Sequence, residues 1–73
     1  MDYKTTSLPA AAYLICFGFK LVRPERQGSK VHFVFDDSDV LRSVVERYFA
    51  DENVPAMSFF SALRSLKSVI YDS

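Results

Sequence analysis

The alternation of apolar and polar side chains is clearest in the segment 30–36, whose sequence is KVHFVFD. Val31, Phe33 and Phe35 fall on one side of an extended chain, and the even-numbered residues, including Val34, fall on the other. This period of two predicts a strand with one face in a core and one face towards solvent.

The sequence of residues 19–24, FKLVRP, predicts a second strand, which ends at Pro24. The polar residues 25–29 then form a loop in which Gly28 is available for a positive φ, so the two strands make an antiparallel hairpin. On the apolar side of this hairpin we expect Phe19, Leu21, Arg23, Phe33 and Phe35. Residues 2–6, rich in Tyr and Thr, would add a short third strand if they pair at its edge.

Three stretches repeat apolar residues with the period of an amphipathic helix. The first, 8–17, follows Ser7 as its N-cap and ends before Gly18. The second, 39–50, begins at an acidic Asp-Ser-Asp cap, and the third, 57–71, follows Pro55 after the polar break Asp51-Glu52-Asn53. The expected inner positions are Leu8, Ala11, Ala12, Ile15 and Cys16; then Val40, Leu41, Val44, Val45, Tyr48 and Phe49; then Phe59, Leu63, Leu66 and Ile70. The aromatic residues Tyr13, Phe60 and Tyr71 fall off these stripes, and any that stays exposed would mark a partner surface.

These elements predict one small α+β domain over residues 1–73: a helix, an antiparallel hairpin, and two helices packed on one face of the sheet. A domain of this length buries only about 60% of the surface that its unfolded chain exposes. We therefore expect a homodimer, because self-association adds buried surface to a small core.

The residue inventory argues against catalysis and metal binding. Cys16 and His32 are the only residues of their types, which excludes an intrachain disulfide and a structural zinc site. Cys16 is expected as a buried, inert thiol, with His32 pointing away from the core. The carboxylates of Asp36, Asp37 and Asp39 are too few for a calcium loop and suit a helix cap better. We expect no enzyme activity, no catalytic residue and no cofactor.

A binding role for basic residues is the main alternative. Two lysines and an imidazole on the outward sheet face, and two arginines in the hairpin loop, suggest a phosphate or single-stranded nucleic-acid site made of Lys20, Lys30, His32, Arg23 and Arg26. The nine basic and nine acidic residues cancel, however, so the overall charge gives no support for nucleic acid. A solvated sheet face or a dimer contact is the favoured interpretation.

The location is expected to be cytoplasmic. The lone cysteine is typical of a reducing compartment, and the first residues have no basic segment followed by an apolar run. The longest apolar run, residues 8–19, is well below the ~20 residues that span a bilayer.

Three motifs carry a family resemblance: Thr-Thr-x-Leu at residues 5–8, Gly-Phe-Lys-Leu at 18–21, and Phe-x-Phe at 33–35. With the ending SFFSALRSLKSVIY, they resemble a small family of unknown function found in bacteria and in phages or other mobile elements. The chain departs from that pattern at Ser7 and Val54, where acidic caps are expected. The resemblance implies no activity and favours a mobile-element accessory protein, of the host-takeover or anti-defence type, that binds other proteins.

Overall fold

The computed structural model describes residues 1–51 and 53–72, so Glu52 of the predicted polar break lies outside the described residues. It confirms the α+β class, with helices packed against an antiparallel sheet. In chain order the elements are β1 (Asp2–Thr5), α1 (Leu8–Cys16), β2 (Arg23–Gln27), β3 (Lys30–Asp36), α2 (Asp39–Phe49) and α3 (Ala56–Asp72).

The sheet has the strand order β1-β3-β2, and both pairings are antiparallel. The central strand β3 coincides with the clearest alternation in the sequence. The expected third strand is confirmed, since β1 pairs with β3 and brings Tyr3 opposite Phe35.

The predicted position of β2 is wrong. The strand occupies Arg23–Gln27 instead of 19–24, and the turn contains only Gly28 and Ser29, with Gly28 at a φ of 63°. Glycine suits the first central position of such a two-residue turn. The strand escaped detection because its sequence, RPERQ, is charged and carries a proline, both of which are typical of an edge strand.

Helix α1 ends through backbone hydrogen bonds that only a residue with a positive φ can complete. Gly18 has a φ of 91°, its N–H donates to the carbonyl of Ile15 (3.0 Å), and the next N–H, of Phe19, donates to the carbonyl of Leu14 (3.2 Å). This pair of bonds is the Schellman motif. At the other end Ser7 is the N-cap, as predicted, and its hydroxyl accepts from the N–H of Ala10 (3.2 Å).

Helix α1 lies at the centre of the core. It contacts α2, α3 and β1, so its five residues 10–14 are all buried. Tyr13, which the pattern places off the apolar stripe, is therefore buried, with its ring stacked on Phe17 (4.9 Å) and edge-on to Tyr48 (5.4 Å). The other fully enclosed large side chains are Leu14, Phe33, Val34, Phe35, Leu41 and Leu66.

The apolar stripe of α2 is narrower than its sequence suggests. Leu41 and Val44 are buried, whereas Val40 is 67% exposed and Phe49 is 75% exposed, so the inward prediction for those two is wrong. The helix has too few neighbours to cover apolar residues around half its circumference. In α3, Ala62 and Leu66 are buried.

Gly18 offers a direct test of the α1 terminus. Apart from Gly18 itself and its two chain neighbours, no described heavy atom lies within 4 Å of a Cβ built at this position, so Gly18→Ala should act through backbone strain alone. We expect a loss of about 1–2 kcal/mol in the free energy of unfolding, measured by urea denaturation. A synthetic chain with D-alanine at Gly18 is the matched control, since a D-residue accepts positive φ. Equal losses for both forms would contradict the role of the backbone.

Candidate functional site

A network of ion pairs covers the outward face of the sheet. Arg23 on β2 binds Asp2 on β1 (Nη2–Oδ2, 2.8 Å) and Glu25 on its own strand (Nε–Oε2, 2.8 Å). Lys4 on β1 binds the other carboxylate oxygen of Glu25 (Nζ–Oε1, 3.0 Å). The two edge strands are thus linked across β3 by alternating charges.

Val34 lies beneath this network. Its cross-strand neighbours are Lys4 and Arg23, which share its face of the sheet. The outward orientation expected for Val34 is therefore observed, but the residue is 0% exposed. Long charged side chains can cover apolar surface with their aliphatic stems while their heads stay in water.

Two of the predicted basic binding residues, Arg23 and Arg26, form polar contacts within the chain. Arg23 pairs with Val34 in the register, so its predicted place on the apolar face with Phe33 is wrong, and its guanidinium belongs to the ion-pair network. Arg26 pairs with Val31 and donates a hydrogen bond to the backbone carbonyl of Ile70 in α3. The two arginines therefore extend from opposite faces of β2 and do not converge on one ligand.

Of the other three predicted binding residues, Lys30 and His32 share the outward face of β3, whereas Lys20 lies outside the sheet. Lys20 is exposed in the segment between α1 and β2, and Lys30 is exposed beside the hairpin turn. His32 lies on the outward face directly opposite Glu25, and its Nδ1 is buried with no hydrogen-bond partner among the described residues. The outward face is of mixed charge, so the structure does not assemble the five residues into a basic surface.

The electrostatics of the network follow from its hydrogen bonds. Those from Lys4 and then Arg23 lower the pKa of Glu25 below its ordinary value. In return, the hydrogen bonds to Glu25 and then Asp2 raise the pKa of Arg23. Both effects favour the charged forms. At neutral pH Lys4 and Arg23 are therefore each paired with a carboxylate, which weakens their attraction for a phosphate.

The acidic segment before α2 serves as a helix start, as predicted. The Ser38 hydroxyl accepts from the N–H of Leu41 (3.0 Å), and Asp37 binds Arg42 through two oxygens (2.8 and 3.0 Å). The hydrogen bond from Arg42 lowers the pKa of Asp37. No cluster of three or more His, Cys, Asp or Glu suited to a metal occurs within residues 1–51 and 53–72.

The single cysteine and the single histidine lie on different elements. Cys16 is at the end of α1, packed against the core, whereas His32 is on the outward face of β3. Cys16 is half-buried, not fully buried as predicted, and burial raises the pKa of its thiol. A raised pKa leaves less thiolate at neutral pH, which agrees with the prediction of an unreactive side chain.

A surface of apolar side chains surrounds the junction of α2 and α3. An open groove of about 340 Å³ there has Tyr48, Val54, Phe59 and Phe60 among its lining residues. Phe60 is 60% exposed and Met57, one turn earlier, is 81% exposed. We call the set Tyr48, Phe49, Val54, Met57, Phe59 and Phe60 the α2–α3 surface; Phe49 joins it through an edge-on contact with Tyr48 (5.3 Å).

Sequence reasoning found only part of this surface. Phe60 and Tyr71 fall off the inner stripe of α3, and both are exposed. Phe49 was missed because its spacing places it in the α2 stripe. Whether this ring is covered depends on where the neighbouring helices lie, and the spacing of apolar residues in α2 does not indicate that.

The architecture and its surfaces define a small α+β domain with a charged sheet face and an apolar helical surface. The model of the DUF5659 family, a domain of unknown function, matches residues 1–72, so the chain belongs to that family. No curated protein and no solved structure matches the chain. Among the described residues, no helix is long and apolar enough to cross a membrane.

The burial of Val34 can be tested with an isosteric pair. Val34→Thr should lower the free energy of unfolding by about 1–3 kcal/mol, because it buries a hydroxyl group for which the fold provides no hydrogen-bond partner. The matched control is Val40→Thr on the exposed side of α2, where a surface change should stay within about 0.5 kcal/mol. Urea denaturation of both variants measures the difference, and equal effects would mean that the ion-pair network leaves Val34 accessible to water.

The network also predicts acid sensitivity. A carboxylate whose folded pKa is lowered stabilises the fold above its unfolded pKa, and this contribution is lost as the pH falls through the folded pKa. For Glu25, stability should therefore decline below about its ordinary value of 4.5. Glu25→Gln should flatten this part of a plot of unfolding midpoint against pH, whereas Glu46→Gln, an exposed change on α2, should not. Identical profiles for the two variants would exclude Glu25 as a source of the acid sensitivity.

Proposed function

We propose that this protein is a non-catalytic interaction module that forms a homodimer through the α2–α3 surface. The observation that carries the proposal is the exposure of Phe60, which lines the groove, together with that of its neighbour Met57 and of Phe49, which contacts the groove residue Tyr48. Contiguous apolar side chains on a small domain are costly in water and are typical of protein interfaces.

A second copy of the chain fits this surface for two reasons. The surface contains both a protruding side chain, Phe60, and a groove beside it. Phe60 of each copy can therefore insert into the groove of the other. Such self-complementarity is the requirement of a two-fold interface. In addition, the core of a 73-residue domain is small, and burying the α2–α3 surface would add to it.

The wider role is a proposal supported by the family resemblance of the sequence motifs. A mobile-element accessory protein of the host-takeover or anti-defence type acts by occupying a target, which requires a binding surface and no active site. We place this role in the cytoplasm. The partner in that case is a protein of the cell, bound by the dimer.

Binding of nucleic acid remains the alternative prediction. It would require Lys20, Lys30, His32, Arg23 and Arg26 to act together. Arg23 and Arg26 lie on opposite faces of β2, and carboxylates pair with Arg23, so the geometry gives this alternative no support.

Self-association is tested by measuring mass against concentration. Light scattering or sedimentation equilibrium should show a dimer for the native chain, and Phe60→Ser should weaken the association by at least about tenfold, as truncating a central aromatic does at interfaces. Because Phe60 is already exposed in the single chain, the variant should keep its fold, which circular dichroism and thermal unfolding would verify.

Val40→Ser is the matched control, since Val40 is 67% exposed, somewhat more than Phe60, but lies outside the α2–α3 surface. It should leave the mass unchanged. A native chain that stays monomeric at every concentration would contradict the homodimer. A dimer unaffected by Phe60→Ser would place the contact elsewhere.

A further inference from the structure

The exposed side of α3 carries charge in a defined order. Met57, Phe60, Arg64 and Lys67 follow one another at intervals of three or four residues, so they lie along one face of the helix, and all four are exposed. The two apolar residues are in the first part of the stripe and the two cations come after them.

An acidic residue lies at the opposite end of the surface. Asp51 is exposed just before α3 and lines the same groove as Phe60. Phe60 also lines two further grooves that include Arg64, and one of these includes Lys67; Asp51 lines neither of them. Phe60 therefore borders both the groove that contains the acidic residue and the grooves that contain the two cations.

This order complements itself under a two-fold rotation. With a rise of about 1.5 Å per residue, Arg64 and Lys67 lie roughly 6 and 10 Å beyond Phe60 along the helix axis. If two copies of α3 cross antiparallel near Phe60, the basic end of each copy comes opposite the acidic end of the other. A parallel arrangement would instead place like charges together.

We propose that the dimer forms by antiparallel packing of α3 against α3 of a second copy, with Phe60 near the two-fold axis and Asp51 of each chain facing Arg64 and Lys67 of the other. This geometry rests on the homodimer proposed above. It assigns the apolar residues to the centre of the contact and the charges to its rim, where they select the orientation of the two chains.

The test exchanges the charges between two variants. One carries Asp51→Lys and the other carries Arg64→Glu with Lys67→Glu. Each variant alone would face like charges at both symmetric contacts, so its self-association should weaken by roughly tenfold at low salt. In an equimolar mixture both contacts become attractive again, so a mixed dimer should form with an affinity within about threefold of the native one.

Asp51 has a φ of 59°, a conformation that Asp and Asn tolerate better than Lys does. Asp51→Asn therefore serves as a second variant that removes the charge without that strain, and it should weaken self-association by a smaller factor. Lys20→Glu, in the exposed segment between α1 and β2, is the charge control on another part of the chain, and it should change neither the homodimer nor the mixing result. Circular dichroism establishes that every variant is folded.

The outcomes separate the two proposals. A native dimer that Phe60→Ser disrupts, combined with no recovery in the mixture, would overturn the antiparallel geometry and leave the dimer standing. A native chain that is monomeric would overturn both. A monomer that binds an acidic helical peptide through Arg64 and Lys67 would instead assign the surface to a different partner and refute self-association.

Discussion

The structure depends on enclosing one strand from both sides. Phe33, Val34 and Phe35 of β3 are consecutive and fully buried, so both faces of the sheet need a cover. On one face the cover is the helical layer, in which α1 is the most buried element. On the other face the cover is the network of ion pairs between side chains of β1 and β2. A sheet of three strands can be stabilised in this way because a single strand separates its two edge strands, so that their side chains meet across it.

The two covers differ in what they leave available for binding. The ion-pair network uses most of the charge on the sheet face, so that face has little electrostatic attraction left for a phosphate chain. The helical cover buries five consecutive residues of α1 but only a narrow stripe of α2 and of α3. Residues such as Phe49 and Phe60 are apolar, yet no element of the described chain lies over them. Most of the large apolar side chains that stay exposed in the described chain therefore lie on its helices.

Features that depend on local sequence were predicted correctly, whereas features that depend on contacts between distant segments were not. Strand β3 and the start of α2 were predictable because alternation and capping are local, and so was the termination of α1 at Gly18. Strand β2 was not, since it is held by pairing with β3 and its own residues are those of an exposed edge. The cover over Val34 could not be found either, because it joins residues about twenty positions apart in the sequence, as in the contact of Lys4 with Glu25.

The exposed aromatic residues show how a helical period is over-interpreted. Spacing states which residues share a face, but the width of the buried part depends on how many neighbours the helix has. In this small domain, α1 has neighbours on several sides and is buried through five consecutive residues, including Tyr13. Helix α2 has fewer neighbours and buries only its central stripe. The same kind of apolar pattern is therefore buried through five consecutive residues in α1 but leaves Val40 and Phe49 exposed in α2.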